Sequence, residues 1–237
     1  MGKEKTLRVC VIIPAYNEAA VIGSVVNDAI KHVKKSKLRI DVVVINDGSS
    51  DDTSAIASTN GATVIDHILN IGVGSATATG LSFAQQNNYD IAATMDADGQ
   101  HAIQDVLKGI SKLHADKTDL LIGSRLIDSN GMSRTKVIGN KGLSFITYLL
   151  FGISSTDSQS GLRIYSRETL MQLKWKTSGY EFCSEMLWRA KQMDLTIDEY
   201  PIQAIYTKYS KGKGQNNWNA INIVKSLLKR RITEMFE

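Results

Sequence analysis

Short β-branched runs alternate with segments of helical spacing through the first half of the chain, and this alternation narrows the fold more than any other feature. Val9 to Ile13 is apolar and closed by Pro14, as expected of a strand buried on both faces. Asn17 and Glu18 then lead into Ala19 to Lys35, with apolar residues at 22, 25, 26, 29, 30 and 33, which is helix spacing. Asp41 to Ile45 reads as a second strand, followed by the turn cluster Asn46 to Ser50, a cap at Asp51 or Asp52 and a helix over Thr53 to Asn60. Ala62 to Ile65 and Ile91 to Met95 are the third and fourth strands, with a small-residue helix, Gly74 to Asn87, between them.

Such alternation predicts right-handed crossovers and an α/β fold, a mainly parallel sheet with helices on both faces. Ligands bind at the carboxyl ends of strands in such sheets. The loops Pro14 to Glu18, Asn46 to Asp52 and Asp96 to His101 should therefore share one edge, gathering Glu18, Asp47, Asp96 and Asp98 into a crevice. The second half is looser. Leu120 to Arg125, Arg163 to Tyr165 and Thr196 to Ile205 read as strands, the last interrupted by Pro201, and 137–152 and Phe182 to Met193 as helices. One domain over 1–215 is expected, followed by an amphipathic helix in 216–237.

Charge is unevenly spread. The 28 Lys and Arg against 24 Asp and Glu give +4, yet 40–107 holds nine Asp and no Lys or Arg. From residue 208 onward seven basic residues face two acidic ones. Asp96 and Asp98, one residue apart at a strand end, repel each other unless a cation sits beside them, and Mg²⁺ or Mn²⁺ prefers such hard oxygen ligands. Phosphate charge in this half would then be neutralised by metal. Nucleic acid is the weakest partner reading: the basic residues sit in one tail with no aromatic platform among them, and the body is acidic.

Two cysteines, Cys10 and Cys183, cannot build a disulfide framework or a four-ligand zinc site, which points to a reducing, cytoplasmic setting. The longest apolar run, Leu143 to Ile153, is 11 residues and too short to span a bilayer. No signal-peptide pattern follows the charged Met1 to Arg8. Trp218, Ile221, Val224, Leu228, Ile232 and Met235 recur at helical steps beside Lys225, Lys229 and Arg231. That helix suits either an anionic membrane surface or docking on protein, including a second copy in a homo-oligomer. Leu143 to Ile153 is a second membrane-surface candidate, with a core helix as the alternative.

Six short motifs occur in order: Val11-Ile-Ile-Pro-Ala-Tyr-Asn-Glu18, Val44-Ile-Asn-Asp-Gly-Ser-Ser-Asp-Asp-Thr53, Asn70-x-Gly-x-Gly74, Met95-Asp-Ala-Asp-Gly-Gln-His101, Gly123-Ser-Arg125 and Ser160-Gly-Leu-Arg163. Over about residues 8 to 215 the chain resembles the family 2 (GT-A fold) glycosyltransferases, most of all the dolichol-phosphate mannose synthase and polyprenyl-phosphate glycosyltransferase branch. The resemblance implies that Pro14, Tyr16 and Glu18 line the nucleotide, with Tyr16 against the base, and that Ile45 and Asp47 hydrogen-bond the base. It implies that Asp96, Ala97, Asp98 and Gln100 hold metal and diphosphate, the metal through Asp96, Asp98 and Gln100. Arg125 would face the donor or acceptor phosphates, and Arg163 the acceptor phosphate. His101 would serve as a hydrogen bonder beside the aspartates. The family's closing Gly-x-Ser-Lys is replaced here by a basic loop from which Lys208, Lys211 or Lys213 could reach phosphate, Lys213 being assigned to the donor.

The implied reaction takes a hexose from a nucleotide sugar, of GDP-mannose or UDP-glucose type, to a polyprenyl or dolichyl phosphate on the cytoplasmic face of the membrane. A phosphate acceptor is already an anion and needs no general base, so single displacement with inversion is expected. Were the acceptor a sugar hydroxyl, Glu185 would be the base. Asp98, Arg125, Arg163 and Glu185 thus form the expected catalytic set.

Overall fold

The computed structural model describes residues 6–36, 38–206, 209 and 217–236, with the side chains of 217–221 and 234–236 left aside. The elements run β1 (Arg8–Ala15), α1 (Ile22–Val33), β2 (Arg39–Asn46), α2 (Thr53–Thr59), β3 (Thr63–Asp66), α3 (Val73–Gln86), β4 (Ile91–Thr94), α4 (Ile103–Asp116), β5 (Leu120–Ser124), α5 (Arg134–Phe151), β6 (Arg163–Ser166), α6 (Arg167–Gln172), α7 (Phe182–Gln192), β7 (Ile197–Pro201) and α8 (Asn217–Phe236). The strands form one sheet in the order β3-β2-β1-β4-β6-β5-β7. All pairings are parallel except those of β6, which runs antiparallel to β4 and to β5.

The two-residue period of β1 divides the core. Val9, Val11 and Ile13 pack with Ile22, Val26 and Ala29 of α1 and Val106 and Ile110 of α4 on one face. Cys10 and Ile12 face the other cluster, with Ala76 and Ala84 of α3, Leu143 of α5, Met186 of α7 and Ile223 and Leu227 of α8. Both faces of β1 are covered, which is why this strand reads as an uninterrupted apolar run. Helix α3 lies so close that a Cβ at Gly80 would come within 2.3 Å of Ile12 Cγ2. Both cysteines are buried and free, and burial pushes their thiols up, Cys10 to about 12 and Cys183 to about 11.

Helix α5 begins at Arg134, earlier than its apolar pattern predicts, because Ser133 caps it by accepting from the Lys136 amide. It stops at Gly152, which adopts the left-handed conformation. The strand expected over Thr196 to Ile205 is confined to Ile197–Pro201. Helix α8 packs against α5 through its inner residues, while Leu228 and Ile232 face outward. Among the described residues no helix is long and apolar enough to cross a membrane.

Candidate active site

The carboxyl ends of β1, β2 and β4 and the start of β6 meet at one sheet edge, since Ala15 pairs with Asn46 and Thr94 with Arg163. The loops after β1 and β2 are tied together. Asn17, at a φ of 52°, accepts from the Ser50 amide at 2.9 Å and donates its own amide to Ser49 Oγ at 2.9 Å. The Glu18 amide donates to Thr53 Oγ1 at 2.8 Å. Tyr16, in the same loop, leaves 46% of its surface exposed at the crevice edge. The co-location inferred from strand order is thus present in the structure.

Asp47 has a different task from the one its position suggests. Its Oδ1 accepts from His67 Nδ1 at 2.8 Å and from the Ile71 amide at 3.1 Å, and its Oδ2 from the Gly72 amide at 2.8 Å. The carboxylate is buried and occupied in shaping the 67–72 loop. Ile45 is fully buried in the second core cluster, so neither side chain is presented to a base in this arrangement. The glycines of Asn70-x-Gly72-x-Gly74 are explained by close approach. A Cβ at Gly72, where φ is +100°, would lie 2.4 Å from Ser178 O, and the Gly74 amide donates to that same oxygen at 2.7 Å.

Asp96 and Asp98 follow β4. The Asp96 side chain is 41% exposed, and its amide donates to Nδ1 of buried His101 at 3.1 Å. Asp98 accepts from the Gln100 amide at 2.9 Å and from the Gln100 side-chain nitrogen. Gln100 therefore clamps Asp98, and its carbonyl receives the Ile205 amide at 2.9 Å, bringing the chain after β7 to the crevice. Burial, and then the charge of Asp96, raise the carboxyl of Asp98, while the Gln100 bonds pull the other way. Gly161 lies directly against Asp96: a Cβ there would come 2.1 Å from its Oδ1. Two crowded carboxylates of which one is open to solvent fit a hard divalent cation that completes its shell with phosphate oxygens and water. Among the described residues no group of three or more His, Cys, Asp or Glu side chains forms an all-protein metal site.

Arg125 is forked onto buried Asp157, a residue that the motifs did not single out. Burial alone would favour loss of its proton, but the facing carboxylate outweighs this and holds the guanidinium charged. Arg163 departs from its expected role. It is 1% exposed, and its nitrogens donate to the carbonyls of Ser160 at 3.0 Å, Cys183 at 3.2 Å and Ser158 at 2.8 Å. A guanidinium used in this way knits β6 to α7, and its donors are taken up by protein carbonyls.

Glu185 is likewise enclosed, with no exposed surface. Its carboxylate accepts from the amides of Lys176 at 3.2 Å and Thr177 at 2.9 Å and from Arg230 Nε of α8 at 3.1 Å. Burial raises its carboxyl, but the Thr177 and Lys176 bonds and Arg230 prevail and hold it below its ordinary value. A general base needs access to a proton and a carboxyl that takes it up readily, and Glu185 has neither.

Several crevice residues were not found by sequence reasoning. Tyr180 is half exposed, and partial burial together with the carboxylates of Asp96, Asp98 and Glu18 keeps its phenol protonated. Tyr206 stands near Arg125, Asp157 and Asp98, with Lys136 Nζ of α5 lying 4.4 Å over its ring. Tyr209 donates to Glu18 Oε2 at 2.7 Å. The signal in these cases is spatial: loose aromatic residues of the second half fold back over the acidic edge of the first. Lys208, Lys211 and Lys213 lie outside the described residues.

A sheet of this topology with an acidic pair at the end of its fourth strand has the GT-A-like architecture of sugar-transferring enzymes. The chain belongs to the Glycosyl transferase family 2, matched over residues 10–174, and it is a glycosyltransferase. It is 39% identical over 248 residues to the UDP-N-acetylglucosamine–dolichyl-phosphate N-acetylglucosaminyltransferase of Methanococcus voltae, covering 95% of this chain and 97% of that one. It is 28% identical to the polyprenol monophosphomannose synthase of Mycolicibacterium smegmatis, over 83% of this chain and 77% of that one. Among solved structures, glucosyl-3-phosphoglycerate synthase from Mycobacterium tuberculosis, in complex with Mn²⁺, uridine diphosphate and glucosyl-3-phosphoglycerate, shares the fold at a TM-score of 0.69 and 19% identity. That match covers 95% of this chain and 80% of the other.

Proposed function

We propose that the protein transfers a hexose, in a metal-dependent single displacement with inversion, from a nucleotide sugar to a polyprenyl or dolichyl phosphate at the cytoplasmic membrane surface. The observation that carries the choice of acceptor is the state of Glu185. A hydroxyl acceptor would need that residue as base, and it is buried and held as an anion by backbone amides and Arg230. A phosphate acceptor brings its own negative oxygen. That oxygen attacks the anomeric carbon, the bond from this carbon to the diphosphate oxygen breaks, and the nucleoside diphosphate leaves with the electron pair; no proton has to be removed.

Asp96 and Asp98 would hold Mg²⁺ or Mn²⁺, which when bound neutralises the charge growing on the departing diphosphate. Gln100 keeps Asp98 in place, and His101 orients the Asp96 backbone. Tyr16 offers a face to the base, beside Pro14 and Glu18. Lys136 supplies positive charge over Tyr206, where an acceptor phosphate would stand, and Arg125, paired with Asp157, borders the same place. The relatives that act, by name, on dolichyl phosphate or polyprenol support this acceptor class, and the Methanococcus voltae relative adds UDP-N-acetylglucosamine to the donors worth trying.

Membrane contact is supported by the outer faces of α5 and α8. Ile138 is 71% exposed, Phe145 60% and Leu149 63%, with Leu228 and Ile232 outward on the neighbouring helix. Lys225 and Lys229 are exposed beside them. Each cation near an anionic bilayer adds about 1 kcal/mol. The deciding experiment is a donor panel with Mn²⁺, scored for product with a polyprenyl phosphate against free sugar acceptors. Product on the lipid phosphate alone is expected; product on sugars alone would overturn the reading.

A further inference from the structure

Glu199 of the edge strand β7 collects four hydrogen bonds from two consecutive residues of the segment after α5. Ser155 Oγ donates to Oε1 at 2.6 Å and Thr156 Oγ1 to Oε2 at 2.6 Å, while the Thr156 amide is shared between Oε1 at 2.9 Å and Oε2 at 3.1 Å. The next residue, Tyr200, points to the other side of the sheet, where its hydroxyl donates to Asp105 O at 2.8 Å. Glu199 and Ile197 thus share the side that α5 and α7 cover.

A carboxylate only accepts, so the Thr156 hydroxyl proton is spent on Glu199. Ser124 Oγ, 2.6 Å from Thr156 Oγ1, must then be the donor of that pair, and it accepts in turn from the Leu126 amide at 3.2 Å. The bonds run one way, from Leu126 to Ser124 to Thr156 to Glu199, and bonds in series polarise and strengthen one another. They bracket Arg125. Ser124 and Leu126 flank it in the chain, and Thr156 precedes its partner Asp157. Asp157 takes the Nε and Nη2 edge of the guanidinium. Because that group is a rigid planar fork, fixing one edge also fixes where its other N–H groups point.

We infer that Glu199 is a positioning residue for Arg125. It locks the chain on both sides of the Arg125 and Asp157 pair, and so sets where the second edge of the guanidinium meets an anionic oxygen. That this oxygen belongs to an acceptor phosphate rests on the function proposed above; the locking itself does not.

Two measurements on the full chain test the role. The Arg125 Nε–H signal, identified in isotope-labelled protein by its loss in Arg125→Lys, reads the pair by NMR without turnover. Glu199→Ala and Thr156→Val should speed its hydrogen exchange about tenfold or more. Tyr200→Phe removes a buried hydrogen bond from the same strand without touching this series, and should change the exchange by less than about twofold. With Mn²⁺ and a polyprenyl phosphate, Glu199→Ala should raise the acceptor KM about tenfold and the donor KM by less than about twofold, since a misplaced cation weakens only what it contacts. Glu199→Gln keeps one oxygen for the Thr156 amide and replaces the other with a donor. It should show the same changes in smaller measure, and it stands in if the alanine variant does not fold. An Nε–H signal unmoved in both Glu199 variants, or moved equally by Tyr200→Phe, would overturn the inference, as would equal rises in the two KM values. If the unaltered protein glycosylates no prenyl phosphate, the acceptor reading fails, and the Nε–H exchange alone decides for or against the positioning role.

Discussion

Arg125 and Asp157 form a two-pronged pair, Nε to Oδ2 at 2.7 Å and Nη2 to Oδ1 at 2.8 Å, and the Arg125 amide donates to the same carboxylate at 3.1 Å. Removing one partner leaves the other buried and uncompensated. Asp157→Ala should cost about 3–5 kcal/mol in urea unfolding. The double variant Asp157→Leu with Arg125→Met should recover part of that loss; a double variant less stable than Asp157→Ala would show that the pair contributes less than its geometry implies.

Asp98→Ala removes one of the two crowded carboxylates. Transfer in Mn²⁺ should fall at least about a hundredfold, equivalent to ~3 kcal/mol of barrier. Chelation of divalent ions should do the same to the unaltered protein and be reversed by added Mn²⁺. Undiminished turnover in either case would remove Asp96 and Asp98 from the reaction.

Glu185 gives a prediction in pH. Its folded-state carboxyl lies below the ordinary value of 4.5, so its stabilising contribution is present above that pH and is lost as pH falls from there through the depressed value. Thermal midpoints between pH 6 and 3 should therefore decline more steeply for the unaltered protein than for Glu185→Gln. The variant should be less stable at pH 6 but keep the shape of its pH–rate profile, whereas loss of a catalytic base would remove the acidic limb.

Phe145→Ser and Ile232→Ser alter the outward faces of α5 and α8 without entering the core. Each should weaken binding to anionic vesicles about tenfold, from ~1.5 kcal/mol or more of apolar transfer lost, with unfolding midpoints nearly unchanged. Unaltered vesicle binding in co-sedimentation would turn these faces over to a protein partner.

Gly72→Ala should destabilise the protein by about 1–3 kcal/mol, since the residue sits at a φ of +100° and the added carbon would press on Ser178 O. Raised KM for the donor is the accompanying kinetic expectation, because the same loop is held by Asp47.

Strands β1 and β2 were legible because each carries an apolar, β-branched-rich run buried on both faces, and α1 because it shows a single apolar stripe. Strand β6 was harder. Four residues carry no directional signal, and only the pairing of Thr94 with Arg163 reveals that it runs against its neighbours. The loops of the crevice could be placed from topology, and the acidic pair from its spacing. The burial of Arg163 and Glu185 could not be read from type and motif alone. A buried arginine satisfied by carbonyls and a carboxylate satisfied by amides look, in one dimension, like a phosphate clamp and a base. The same holds for Asp47, whose partners His67, Ile71 and Gly72 lie twenty or more residues away. Helix α8 docks on the body through Ile223 and Leu227 and turns Leu228 and Ile232 outward, so of its two readings the structure displays the docked one.

The reach of Arg230 to Glu185 ties α8 to the loop that carries Lys176, Thr177 and Ser178. Glu185 pins Lys176 and Thr177, and the adjoining Ser178 carbonyl receives Gly74 at the mouth of α3. Anything that drew α8 away from the body would loosen this sequence of contacts from its far end, and anything that pressed α8 inward would tighten it.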